Sequence, residues 1–257
     1  MARKKVLIVA TSHAMLGATG ERTGVWLEEL ATPYYALHDA GLEVTLASIQ
    51  GGAIPFDPRS LPAEAGQAGG EQPSAQPEVP ASVCRFLGDP KAMEAASNSL
   101  PVDLVASEGF DAILLPGGHG AMWDMPESAI LARLAGFQFD RGKVVAAVCH
   151  GPAGLVSARR HDGRPIVEGR WVNGFTNTEE AAVWLTRIVP FLLEGLLREL
   201  GGQLERGPDW QPYAVRDDNL ITGQNPQSSD LVARHVLAAL GFGEPIPAAT
   251  SEWKGAA

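Results

Sequence analysis

The chain is poor in cysteine, poor in positive charge and has no long apolar run. Only two cysteines, Cys84 and Cys149, occur in 257 residues. Two thiols cannot staple a chain of this size, and they lack metal-site spacing. They read as reduced thiols of an intracellular, cytoplasmic protein. Lysine and arginine number 20 against 30 acids, a formal net charge of −10. That balance disfavours nucleic acid and anionic membrane surfaces, both of which attract a basic field. No apolar stretch approaches the roughly 20 residues that cross a bilayer. The opening "MARKKVLIVATS" has basic residues and an apolar run. The run is too short for a signal sequence, and no clean small-residue cleavage site follows it.

What is present suits one α/β domain over residues 1–257. Hydrophobic residues make up 45% of the chain, which supports a sizeable core. "KVLIVA" (5–10), "EVTLAS" (43–48), "DAILLPGG" (111–118) and "KVVAAVCH" (143–150) contain β-rich apolar runs. Continuous rather than alternating apolarity marks a strand buried on both faces. "GVWLEELATPYYALHDAG" (24–41) has helical spacing, with Pro33 predicted to kink it and Gly41 to end it. "PESAILARLAGF" (126–137) is a second helix, with Pro126 near its start. Strands alternating with helices predict a flavodoxin-like, doubly wound, mostly parallel sheet between helical layers.

Residues 62–82 are rich in Pro, Gly, Ala, Glu and Gln and show no apolar period, which predicts a mobile surface insertion. Residues 83–99 then resume a helical pattern, with Cys84 as a small packing residue. "VPFLLEGLLRELGG" (189–202) predicts an amphipathic helix ended by Gly201-Gly202. "YAVRDDNLITG" (213–223) predicts a β-hairpin about Asp218-Asn219. "SSDLVARHVLAALG" (228–241) predicts a closing helix capped by Ser228 or Ser229, and residues 245–257 form a tail.

The chemistry gathers at strand ends. Cys149 closes an apolar strand, and Gly151-Pro152 opens the next segment. This is the layout of a nucleophile elbow. A thiol aimed at a helix N-terminus has a lowered pKa, and the amides of His150 and Gly151 face an incoming oxyanion. The Gly117-Gly118 loop, at a neighbouring strand end, brings further amides to the same point. His150 adjoins Cys149 in sequence, so their side chains need not face each other. An imidazole that acts needs an orienting acid. "GFTNTEEAAVW" (174–184) offers Glu179 and Glu180 at a helix start, where acids are favoured in any case, and periodicity does not separate them. On the first helix, Glu29 lies on the apolar face, four after Val25 and three after Trp26. An inward carboxylate has a raised pKa and can shuttle a proton, whereas a solvated helix glutamate would have neither property. Periodicity serves both readings equally. The six histidines show no trustworthy ligand spacing, so no metal is expected.

These motifs together resemble the ThiJ/PfpI superfamily, with its class I glutamine amidotransferase-like fold, and within it the branch of glutathione-independent glyoxalases (glyoxalase III) and heat-shock chaperone-like proteins. "AVCHGP" with an upstream "PGGHG" carries the superfamily likeness; "TGVW…E…P" and "GFT…EE" carry the branch. The resemblance covers roughly residues 4–58 and 83–240, and the 62–82 stretch departs from it. It implies Cys149 as nucleophile, His150 beside it, Glu180 as the acid orienting the histidine and Glu29 beside the thiol. Gly118 and His119 then belong to the oxyanion-side loop. It also implies a cofactor-free lyase acting on small 2-oxoaldehydes such as methylglyoxal, working as a homodimer. A holdase chaperone or protein deglycase, and a cysteine redox sensor, are the alternative functions.

Overall fold

Three strands of near-pure apolar sequence occupy the middle of the molecule, and the rest of the fold covers them. The structure is a computed structural model that describes residues 3–62, 79–105 and 109–243. In chain order the elements are β1 (Lys5–Ala10), α1 (Leu27–Asp39), β2 (Glu43–Ser48), α2 (Ala81–Gly88), α3 (Pro90–Ser97), β3 (Leu100–Pro101), β4 (Ala112–Leu115), α4 (Ala121–Asp124) and α5 (Ala129–Asp140). There follow β5 (Val144–Val148), β6 (Trp171–Val172), α6 (Asn177–Ala182), α7 (Leu193–Glu199), β7 (Gln203–Leu204), β8 (Ala214–Asp217), β9 (Leu220–Gly223) and α8 (Ser229–Ala239).

The main sheet runs β3-β2-β1-β4-β5-β9-β8. All its pairs are parallel except β8 with β9. Without the edge strands β3 and β8, the order is the flavodoxin-like one, and the chain reverses direction across the sheet between β1 and β4. A separate two-stranded sheet joins β6 to β7.

Alternation along each central strand explains the apolar runs. Val6, Ile8 and Ala10 of β1, with Ala112 and Leu114 of β4, face the layer formed by α1, α2, α3 and α8. Leu7 and Val9, with Ile113 and Leu115, face the layer that includes α5 and α7. Both parities are buried, so neither can be polar. No helix among the described residues is long and apolar enough to cross a membrane.

Several predicted boundaries shift. The helical stretch 83–99 is two helices, because Asp89 caps α3 and Pro90 occupies its first turn. Cys84 is exposed on α2 rather than packed. Most of the expected insertion, residues 63–78, lies outside the described residues, as does the tail 245–257; Ala81 and Ser82 already belong to α2. The hairpin turns at Asp218, whose φ is 58°. Ser228 occupies the N-cap of α8 without a side-chain cap bond; its hydroxyl is taken up by Asn225 Oδ1 and Tyr213 N.

Gly136 makes the packing of α5 testable. An alanine in a helix interior ordinarily adds about 1 kcal/mol over glycine. Here a Cβ would stand 2.1 Å from the Arg159 carbonyl oxygen. Gly136→Ala is therefore expected to destabilise by about 1–3 kcal/mol, the reverse of the propensity effect. Thermal or denaturant unfolding checks the sign.

Candidate active site

Cys149 is the hinge between β5 and a short 3-10 turn, Gly151–Leu155. Its φ is 59°, in the left-handed region that costs a non-glycine residue of order 1–2 kcal/mol. Two backbone hydrogen bonds hold it there: Cys149 N donates to Gly223 O at 2.9 Å, and Phe175 N donates to Cys149 O at 2.8 Å. The elbow is thus tied to the end of β9 on one side and to the run into α6 on the other.

The loop after β4 presses against this elbow. A Cβ on Gly117 would lie 2.4 Å from His150 N. Gly118, at φ 93°, would place one 2.4 Å from Gly24 O. Glycine is required at both for the loops to meet. Gly151 opens the 3-10 turn against the Leu115 carbonyl. The Gly118 amide lies against the Cys149 sulfur and favours its thiolate. The Gly117 amide is not available to an oxyanion, because it donates to Glu29 Oε2 at 2.7 Å.

Glu29 projects from α1 into this junction and is fully buried. Its carboxyl lies against Cys149, loosely enough that Oε1 has no well-aligned partner. Burial raises its pKa well above the ordinary value, against the lowering effect of Cys149 and the Gly117 amide. Cys149 is 3% exposed. Its thiol is pushed up, first by burial and then by the Glu29 charge. This corrects the expectation of a dipole-lowered thiol: the next element is a five-residue 3-10 turn, too weak to offset burial. A protonated Glu29 removes the repulsive charge and supplies a donor, so ionisation of the thiol is linked to that carboxyl.

His150 meets both neighbours. Its Nε2 lies 2.8 Å from Glu180 Oε2, and its Nδ1 lies 3.4 Å from Cys149 Sγ. The two adjacent side chains do face each other, which adjacency in sequence left open. Glu180 also bonds His119 Nε2, through Oε1 at 3.0 Å. Burial alone would raise the Glu180 pKa, but the two imidazoles outweigh it and hold the carboxyl at about 2. His119 is lowered to about 4, by burial and then by His150.

The structure separates the two glutamates of α6. Glu179 completes a capping box with Thr176. It accepts from the Trp210 amide at 2.9 Å, Asn225 Nδ2 at 2.8 Å and Gln224 Nε2 at 3.2 Å. Glu180, one residue on, turns to the histidines. Sequence reasoning missed the His119 imidazole as a Glu180 partner. It also missed Phe175, whose ring centroid lies 4.4 Å from that of His150, and Trp210, packed edge-on against Phe175.

His119, His150 and Glu180 each place a potential ligand atom within 4.8 Å of the others, a convergence that sequence spacing did not reveal. Both Nε2 atoms are turned onto the carboxylate as donors, however. The remaining ring lone pairs point away from it, so these groups do not converge on a cation as they stand.

Both depressed groups make the fold acid-sensitive. The unfolded chain binds their protons more readily, so stability falls as pH drops. His119 acts between its ordinary 6.5 and about 4, and Glu180 from 4.5 towards about 2. The first window is worth roughly 3 kcal/mol. Melting temperature is expected to fall as pH is lowered through that window in the wild type, and this dependence to flatten in His119→Gln.

Comparison with known proteins agrees with this architecture. The DJ-1/PfpI family profile matches residues 93–239. Glyoxalase 3 of Candida albicans is 30% identical over 91% of this chain and 98% of its own. The glutathione-independent glyoxalase hsp3101 of Schizosaccharomyces pombe is 32% identical over 91% of this chain and 94% of its own. Among solved structures, the Rapid Encystment Protein of Francisella tularensis superposes with a TM-score of 0.82 at 36% identity, covering 92% of this chain and 99% of its own. Glyoxalase III of Candida albicans gives 0.80 at 26% identity, covering 92% and 97%. With its flavodoxin-like sheet and its elbow cysteine at the end of β5, the chain belongs to the DJ-1/PfpI family.

Proposed function

We propose that the protein is a glutathione-independent glyoxalase that converts small 2-oxoaldehydes such as methylglyoxal to 2-hydroxy acids. The observation that carries this reading is the double contact of one buried thiol. Cys149 meets His150 Nδ1 on one side and the Glu29 carboxyl on the other. A single sulfur between two proton carriers suits an internal redox isomerisation, in which hydrogen leaves one carbon and arrives at the next. The names of the relatives support the same reading.

The steps balance on these residues alone. The Cys149 thiol gives its proton to His150 Nδ1 and adds to the aldehyde carbon, C1; protonated Glu29 delivers its proton to the C1 oxygen. The product is a hemithioacetal, and the Gly118 amide holds the developing oxyanion. Glu29, now a carboxylate, takes the hydrogen of C1 while His150 protonates the C2 oxygen, giving an enediol. Glu29 returns the proton to C2 and His150 takes the C1 hydroxyl proton, leaving a thioester. Water then adds to C1, losing a proton to Glu29; the C–S bond breaks and the sulfur recovers its proton from His150. Glu180 stabilises the imidazolium whenever it forms. Phe175 packs against the His150 ring and Trp210 against Phe175, apolar cover that helps to keep bulk water from the imidazole.

Each proton carrier is expected to contribute of order 10²–10⁴ in rate. Lactate formation from methylglyoxal without glutathione is expected for the wild type. Cys149→Ala is expected to abolish it, and Glu29→Gln to lower kcat at least about a hundredfold. Lactate production by Cys149→Ala at the wild-type rate would overturn the assignment.

A further inference from the structure

Arg59 lies in a 3-10 turn, Pro58–Ser60, about 90 residues before the elbow in sequence, and no motif points to it. Its guanidinium is locked onto Asp57. Nε donates to Oδ1 at 2.9 Å and Nη2 to Oδ2 at 2.7 Å. Asp57 is itself buried and accepts from Thr23 Oγ1 at 2.8 Å. The Arg59 group is therefore held in one orientation, although its side chain is 41% exposed. Nη2 carries two hydrogens. One serves Asp57, and the other faces His119 Nδ1 at 3.2 Å.

That contact has only one chemical sense. A guanidinium has donors and no acceptor. His119 Nδ1 must therefore offer its lone pair, which places the ring proton on Nε2, 3.0 Å from Glu180 Oε1. Glu180 then accepts from His119 on one oxygen and from His150 Nε2 on the other. With its Nε2 proton committed to Glu180, His150 keeps a lone pair on Nδ1, directed at Cys149 Sγ. Held as a carboxylate, Glu180 accepts from both imidazoles, and the series Asp57–Arg59–His119–Glu180–His150–Cys149 ends on the free Nδ1 lone pair of His150.

We propose that Arg59 is a positioning residue that sets the tautomer of His119 and, through Glu180, keeps the His150 Nδ1 lone pair turned towards the thiol. The inference rests on the reading of Cys149 and His150 as the reacting pair. Arg59 never touches substrate in this role. The charged and titratable groups facing His119 are Arg59 from the 3-10 turn, Glu180 from α6 and His150 from the elbow. Glu21 and Asp57 act on Arg59 in turn. Arg59 and His150 both oppose protonation of His119, and Glu180 favours it. Loss of the guanidinium leaves Glu180 less opposed, so His119 takes up a proton at higher pH. A charged His119 would hold Glu180 more tightly and weaken its support of the His150 imidazolium.

Long-range proton–nitrogen correlation spectra of labelled protein, recorded with methylglyoxal kinetics on the same samples, test this. In the wild type, His119 Nδ1 is expected in the unprotonated-nitrogen range from pH 8 down to about 5. In Arg59→Met, the doubly protonated ring is expected at higher pH than in the wild type, with Nε2 still donating to Glu180. Its kcat is expected to fall on the order of tenfold, as is usual when an orienting partner is lost, with KM changed less than about twofold. The acid limb of its kcat profile is expected to move to higher pH. Arg59→Lys, still a donor-only cation, is expected to recover most of kcat and the wild-type limb. The proposal is overturned by a wild-type His119 protonated on Nδ1, a result that needs no variant to fold. It is also overturned by a folded Arg59→Met protein with the wild-type His119 protonation and acid limb. A wild type that forms no lactate defeats the glyoxalase reading alone, and the nitrogen spectra still decide the part played by Arg59.

Discussion

The loop after β4 and the elbow after β5 approach until no side chain fits between them. A Cβ on Gly117 would stand 2.4 Å from the His150 amide nitrogen and 2.7 Å from the Val148 carbonyl oxygen. That closeness lets the Gly118 amide reach the sulfur of Cys149 and the Gly117 amide reach Glu29 on another helix. It depends on the parallel pairing of β4 with β5, which brings both strand ends to the same edge of the sheet. It depends equally on the two buried faces that hold those strands in register.

Three buried glutamates surround this junction, and their partners divide the work. Glu179 takes donors that are all neutral, from amides and hydroxyls, and ties the Trp210 segment and the start of α6 to the core. Glu180 takes two imidazoles and is held as an anion. Glu29 has one backbone amide and a sulfur, too little to offset burial, so it favours its proton. One residue type thus serves as a structural tie, a fixed charge and, in the proposed reaction, a proton carrier. Environment makes the difference, as it does wherever paired acids carry opposite duties.

Much of the fold is legible in the sequence because burial on both faces leaves a local trace. The runs at residues 5–10 and 43–48 end where β1 and β2 end. The apolar face of α1 admits Glu29 as an inward residue, and burial settles the alternative that periodicity left open. The break at Asp89-Pro90 was equally local, yet the helical period on either side concealed it. Cys84 falls on the solvent face of α2, where a small apolar residue carries no information about depth. Glu179 and Glu180 adjoin in sequence and share a first helical turn. Only their direction, towards Thr176 or towards His150, distinguishes them.

Strand positions, the elbow and its glycines follow from patterns of a few residues, since apolar period and turn chemistry are local properties. The polarity of the site does not. The bonds from Arg59 to His119, from His119 to Glu180 and from Gly117 to Glu29 span 60, 61 and 88 residues. Whether an imidazole donates or accepts depends on which atom the fold places against it, and no spacing along the chain encodes that. The chain order carries the reacting groups to one edge of the sheet. Packing alone determines which nitrogen of each histidine holds the proton, and that burial outweighs the donors around the thiol.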